Sequence, residues 1–215
     1  MRPAPEMRNA AGIAAVLIVA GFASAGAQEA GVTVSRVTLP PAEGAYHGGT
    51  HLFPAAGARL TCSTHGGFSG SVAPPTMPGT TVIADYRATF IGELVLGSAA
   101  TDVHPISEPV HMVERITFGE GRGDVQVLDT EIVALDLKGS DLPRGVLVRE
   151  SPSRGSFGRT TITTLERGRT RIESYYDIWL ELSTDGGRSW HAAEAAVRMS
   201  IAPEGAARRG ISTGG

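Results

Sequence analysis

The sequence predicts an all-β fold, an antiparallel β-sandwich in a single domain, on three observations. Runs with a two-residue apolar period recur along the chain, turn residues separate them, and hardly any stretch has a helical period. The clearest run is the last. From Ser174 to Ile201, Tyr176, Ile178, Leu180 and Leu182 alternate with Tyr175, Asp177, Trp179 and Glu181. Ser183-Thr184-Asp185-Gly186-Gly187 then turns the chain, and Val197, Met199 and Ile201 resume the alternation. This is the pattern of a β-hairpin that buries the more apolar Tyr176 parity and turns the other parity outward.

The chain opens on different chemistry. Arg2 and Arg8, the apolar run Ala10 to Phe22 and Ala25-Gly26-Ala27 together form a secretory signal peptide, with cleavage expected between Ala27 and Gln28. The run falls short of the roughly 20 apolar residues of a membrane span, leaving a retained anchor as the alternative. The expected location is secreted or periplasmic, with no membrane span in the mature chain. The expected organisation is a leader over 1–27, a β domain over 28–201 with a break between halves near 119–124, and a disordered tail over 202–215.

In order, the strands expected are the stretch to Leu39 ended by Pro40-Pro41, a short one at Leu60 to Thr64, a long run from Thr80, and Val110 to Phe118. Glu114 interrupts the apolar face of the last of these. Val125 to Leu137 is apolar first at odd positions, then at Leu128 and Ile132, then at odd positions again, a phase slip that predicts a β-bulge. Val146 to Arg149, Thr160 to Leu165 and Thr170 to Glu173 follow. Glu43 to Gly57, Gly66 to Pro78 and Ser151 to Gly158 are rich in Gly, Pro and Ser and are expected as loops. Ala192 to Ala196 is the sole helical candidate of the mature chain, too short to stand alone.

Net charge is −3 over 215 residues, so no basic surplus invites nucleic acid or anionic lipid. Cys62 is the only cysteine. An internal disulfide is therefore excluded and a buried structural thiol expected, with a bridge between chains as the alternative. No cofactor is implied. Six histidines offer at most a pair by spacing, His47 and His51, whereas zinc takes three or four convergent ligands; surface-loop histidines are expected and no metal site is assigned. Ser69 lacks the second Gly of a nucleophile elbow, and no carboxylate pair is placed across a scissile bond.

Ser183-x-Asp185-x-Gly187-x-x-Trp190 fits the Asp-box hairpin turn, in which Asp and Ser side chains accept turn amides, Gly takes positive φ and Trp folds over the turn. It occurs once, whereas a propeller needs several blades, so Ser183, Asp185, Gly187 and Trp190 are expected to shape a turn. On the outward parity of the same hairpin, Tyr175 and Trp179 form a candidate ligand platform.

Five segments in order, Asp129-Thr130-Glu131-Ile132, Leu135-Asp136-Leu137, Val148 to Ser153, Gly158 to Ile162, and Ser174 to Asp177 running on to Asp185 through Trp190, resemble a block found in uncharacterised exported bacterial proteins that often carry a PEP-CTERM sorting tail. The resemblance implies export and a β-rich body, and no catalytic residues. The Pro-Glu-Pro signal of that tail does not follow Ile201, so retention through it is not implied. The function expected is a structural or binding role at the cell surface, matrix or periplasm, with extracellular polysaccharide or matrix as partner; the alternative is a secreted hydrolase of polysaccharide or another extracellular polymer.

Overall fold

The computed structural model describes residues 31–97 and 102–204; the leader and the tail expected at the chain ends lie outside them. The chain is all-β. Its strands are β1 (Val32–Val34), β2 (Gly44–His47), β3 (Thr50–Phe53), β4 (Ala58–Ser69), β5 (Thr81–Leu96), β6 (Asp102–Arg122), β7 (Val125–Leu137), β8 (Leu147–Glu150), β9 (Ser156–Thr164), β10 (Thr170–Ile178), β11 (Leu180–Ser183), β12 (His191–Ala192) and β13 (Val197–Pro203). Two short 3₁₀ turns, Pro54–Ala56 and Glu166–Gly168, complete the regular structure, and no helix forms at Ala192 to Ala196.

The strands do not stack as two sheets. β2, β4, β5, β6, β7, β9, β10 and β13 pair antiparallel in a ring, because β7 joins β9, β9 joins β10, β10 joins β13 and β13 returns to β2. The result is a closed eight-stranded barrel where a sandwich was expected. Both architectures bury alternate residues of every strand, so alternation alone does not separate them; the pairing of Ser200 with His47 and of Pro203 with Gly44 does. β1 adds to β10 beside β13, β3 to β4, and β8, β11 and β12 form a small extension from β7.

The core fills the barrel. Leu94, Ile116, Leu128, Ile132, Ile172 and Leu182 are fully buried within one contiguous apolar cluster. The bulge predicted in β7 is present. Val113 pairs with Ala134 and Glu114 with Ile132, leaving Val133 unpaired, and the buried parity changes from Leu128, Thr130 and Ile132 to Leu135 and Leu137 across it. A second register shift between Cys62 and Thr64 lets Cys62 and His65, three residues apart, both point inward.

The Gly-rich stretch at Glu43 to Gly57 holds two strands where loops were expected, because its glycines serve close approach as well as turning. A Cβ on Gly44 would lie 2.8 Å from Ile201, and one on Gly48 2.8 Å from Met199. β4 likewise runs past Thr64 through Gly66, which packs on Ala45.

β6 is longer than expected and contains Pro105 and Pro109. Both lie before Val110, where pairing with β7 begins, so among the described residues this part of β6 has β5 as its only strand neighbour. Between the prolines, Ser107 N–H donates to Asp141 Oδ2 at 2.9 Å, and Glu108 Oε1 accepts from Asp141 N–H at 2.5 Å.

Gly158 on β9 is a tight point of the barrel wall. A Cβ there would stand 2.2 Å from the Tyr175 carbonyl oxygen and 2.6 Å from Tyr176 Cδ1. Gly158→Ala is expected to destabilise the fold by about 2 kcal/mol through overpacking, read as a lowered urea midpoint at unchanged slope; an unchanged midpoint would show that this wall has slack.

Candidate functional site

The closing hairpin is the one predicted. Tyr176, Ile178, Leu180 and Leu182 are buried in the barrel and its extension, while Tyr175, Asp177 and Trp179 are half-buried on the outer parity. Glu181 departs from that parity. It is buried, accepting Arg149 Nη2 at 2.7 Å and Ser151 Oγ at 3.0 Å. Arg149 and Glu181 thus form an ion pair across β8 and β11.

The turn has the expected chemistry. Asp185 Oδ1 accepts the Arg188 and Ser189 amides at 2.9 Å each, Oδ2 accepts Ser189 Oγ at 2.7 Å, and Ser183 Oγ accepts the Gly187 amide at 2.9 Å. Gly186 and Gly187 take φ of 78° and 88°. Trp190 lies beside Gly187, with the Arg149 guanidinium 3.9 Å above its ring. The Ser189 and Ser183 hydroxyls and the turn amides hold the Asp185 carboxyl well below the usual carboxylate range. Every one of these partners is local, so the turn shapes the hairpin.

Around the outside of the barrel, strand register aligns Ile83, Arg115, Glu131, Phe157, Asp177 and Arg198 in one row across β5, β6, β7, β9, β10 and β13. Arg115 pairs with Glu131, and Arg198 grips Asp177 at 2.9 and 2.6 Å, lowering the Asp177 carboxyl's pKa. Between these pairs Phe157 is 60% exposed. One pleat along, Asp129, Arg159 and Tyr175 form the next row, with Arg159 Nη2 3.4 Å from Asp129. The two rows border an open groove of about 320 Å³ lined by Asp129, Phe157, Arg159, Tyr175 and Asp177.

The sequence-predicted platform is therefore divided and extended. Tyr175 lies in the groove with Arg198 4.0 Å above its ring. Trp179 stands at the break between β10 and β11, outside the groove, with Arg154 4.5 Å above its ring. Phe157, placed from sequence in a loop, pairs with Asp177 midway between them. Its signal was the strand pattern of Ser156 to Thr164, obscured by Gly155 and Gly158.

A second polar cluster lies inside. Glu114, on the apolar parity of β6, is 1% exposed and accepts hydrogen bonds from the Tyr176 and Tyr86 hydroxyls. The Tyr46 hydroxyl donates to Ser174 Oγ at 2.9 Å, and Ser174 Oγ meets Thr160 Oγ1 at 2.7 Å. Burial pushes Glu114 up to about 7, against the pull of the two tyrosine hydroxyls. His51 and His65, expected on surface loops, are buried, and burial pushes both down to about 4. Burial likewise pushes the Cys62 thiol up to about 12, the protonated state of a structural thiol. His51 Nδ1, His65 Nε2 and Glu114 Oε2 have no hydrogen-bond partner among the described residues.

The two histidines, Cys62, Tyr46, Tyr86 and Tyr176 border a cavity of about 20 Å³. That is room for about one or two waters, far below the roughly 300 Å³ at which small-molecule pockets begin. Among the described residues no three His, Cys, Asp or Glu side chains converge to hold a metal ion.

No family model, curated protein or solved structure matches the chain.

Two outcomes follow from these contacts. Glu114 binds its proton more tightly folded than unfolded, so its contribution is full below about pH 4.5 and is lost as pH rises to about 7; the two histidines, depressed, lose theirs as pH falls from about 6.5 to about 4. Glu114→Gln should therefore gain roughly 3 kcal/mol relative to the parent between about pH 4.5 and about pH 8, measured by urea unfolding, and a pH-independent difference would refute a carboxyl held neutral. Asp185→Ala should speed hydrogen exchange at the Arg188 and Ser189 amides by about tenfold or more with the barrel strands still protected; equal exchange in both proteins would mean that the carboxylate does not hold the turn.

Proposed function

We propose that this is an exported binding protein whose outer barrel face, over β9 and β10, engages extracellular polysaccharide at the cell surface, in the matrix or in the periplasm. The observation that carries the reading is Phe157, a large apolar ring left 60% exposed in a strand wall between two ion pairs. An aromatic face with carboxylates and guanidiniums around it suits a sugar, which presents C–H faces and equatorial hydroxyls together. The small interior cavity supports an outer site by leaving little room within. Export rests on the leader sequence. Phe157→Ala combined with Tyr175→Ala should abolish retention on a glycan array while the melting temperature stays close to that of the parent; undiminished retention by the folded double variant would defeat this placement of the site.

One carboxyl favours hydrolysis of the bound polymer as a second reading. Glu150 Oε1 accepts Ser156 Oγ at 3.0 Å, and the same hydroxyl accepts the Trp179 amide at 2.9 Å, placing Glu150 beside the aromatic strip. Burial, reinforced by Glu131 and Glu181, pushes it up to about 7 against the Ser156 hydroxyl and Arg149, the range of a general acid. The carboxylates of the closing hairpin are otherwise engaged: Asp177 with Arg198, Glu181 with Arg149, and Asp185 within its turn.

A further inference from the structure

The charge pattern and spacing of the outer face also bear on which polysaccharide it takes, an inference that rests on the binding reading above. Each charged side chain bordering the bare Phe157 ring is already committed. Arg115 is held by Glu131, Arg198 by both oxygens of Asp177, and Arg159 by Asp129. Arg198 also covers the Tyr175 ring. An anionic sugar would have to compete with these carboxylates for its guanidinium, and a cationic one with these guanidiniums for its carboxylate. Neutral hydroxyls face no such competition, since a paired carboxylate keeps acceptor lone pairs and a paired guanidinium keeps N–H donors. Arg154 brings one further cation at the Trp179 end, where it lies over the indole and donates to the Ala193 carbonyl at 3.3 Å.

Tyr175 and Trp179 are four residues apart along one edge, a span of about 13 Å at strand rise, and Phe157 sits opposite the midpoint, one strand away. That path is longer than one hexose ring and runs along β10 to the residue just past its end at Ile178. We propose that the strip formed by Tyr175, Phe157 and Trp179 selects a neutral, extended polysaccharide, several linked sugars resting on successive rings, over uronate-containing or sulfated chains and over free monosaccharides.

The test is isothermal titration of the mature protein with soluble neutral β-glucan and mannan, their short oligosaccharides and monomers, and with alginate, pectate and heparin, at low and high salt. Expected are binding of a neutral polymer that changes less than about twofold with salt, weakening on shortening to the monomer, and loss of at least about tenfold affinity in Phe157→Ala. Salt-sensitive binding of the anionic chains alone would overturn the neutral selection and leave the binding reading standing. Equal affinity per site for monomer and polymer would overturn the extended strip. Binding of none of these probes, neutral or charged, would overturn both the inference and the polysaccharide reading beneath it.

Discussion

The rest of the structure depends on one seam, the pairing of β13 with β2. It brings the last described strand of the chain against a strand near its start, and it is made possible by Gly44, which gives Ile201 room to lie flat inside. Without that seam β2 and β13 would be free edges and the interior would be open on one side. With it, most side chains of the inward parity are cut off from water. Glu114 then has to be neutralised or hydrogen-bonded, and tyrosine hydroxyls from β5 and β10 meet it. The shifted titration of Glu114, His51 and His65 and the nearly filled cavity all follow from this closure.

Closure also divides the side chains into two populations. Inside, tyrosine hydroxyls answer Glu114 and the Ser174 and Thr160 hydroxyls answer one another, while His51 Nδ1 and His65 Nε2 have no partner among the described residues. Outside, the strands carry charged rows in which neighbouring strands neutralise each other, the cross-strand pairing that stabilises a sheet surface facing water. Phe157, and Ile83 at the row's end, are the members of the row that are neither charged nor covered, and Phe157 alone sits between ion pairs. It stands out because the wall around it is so consistently paired.

Much of this was legible in the chain. Alternation marked the buried face of the closing hairpin residue by residue, and the phase slip in Val125 to Leu137 located the β7 bulge, since a bulge leaves its mark in the order of residues. The turn after Ser183 was legible for the same reason: the partners of the Asp185 carboxylate lie within a few positions of it. What escaped was non-local. Gly44, Gly48 and Gly66 look like turn residues until Ile201, Met199 and Ala45 are set against them, and His51 and His65 look like loop histidines until the glycines around them are found in strands. Glu114 was visible as an interruption of an apolar face, but its tyrosine partners come from strands far away in sequence. Phe157 was missed because Gly155 and Gly158, which admit a crowded backbone, resemble the punctuation of a loop.

The one-sided stretch of β6 has a consequence for the protein among its own copies. Residues 105, 107 and 109 direct their backbone groups to the same side of the strand, the side with no neighbour. Two of them are prolines without N–H, and the third donates to Asp141. An unpartnered strand edge is ordinarily a template on which another chain can add and from which aggregates grow. Here the donors that such an addition would use are missing or occupied from Pro105 to Pro109, which disfavours strand addition along that run.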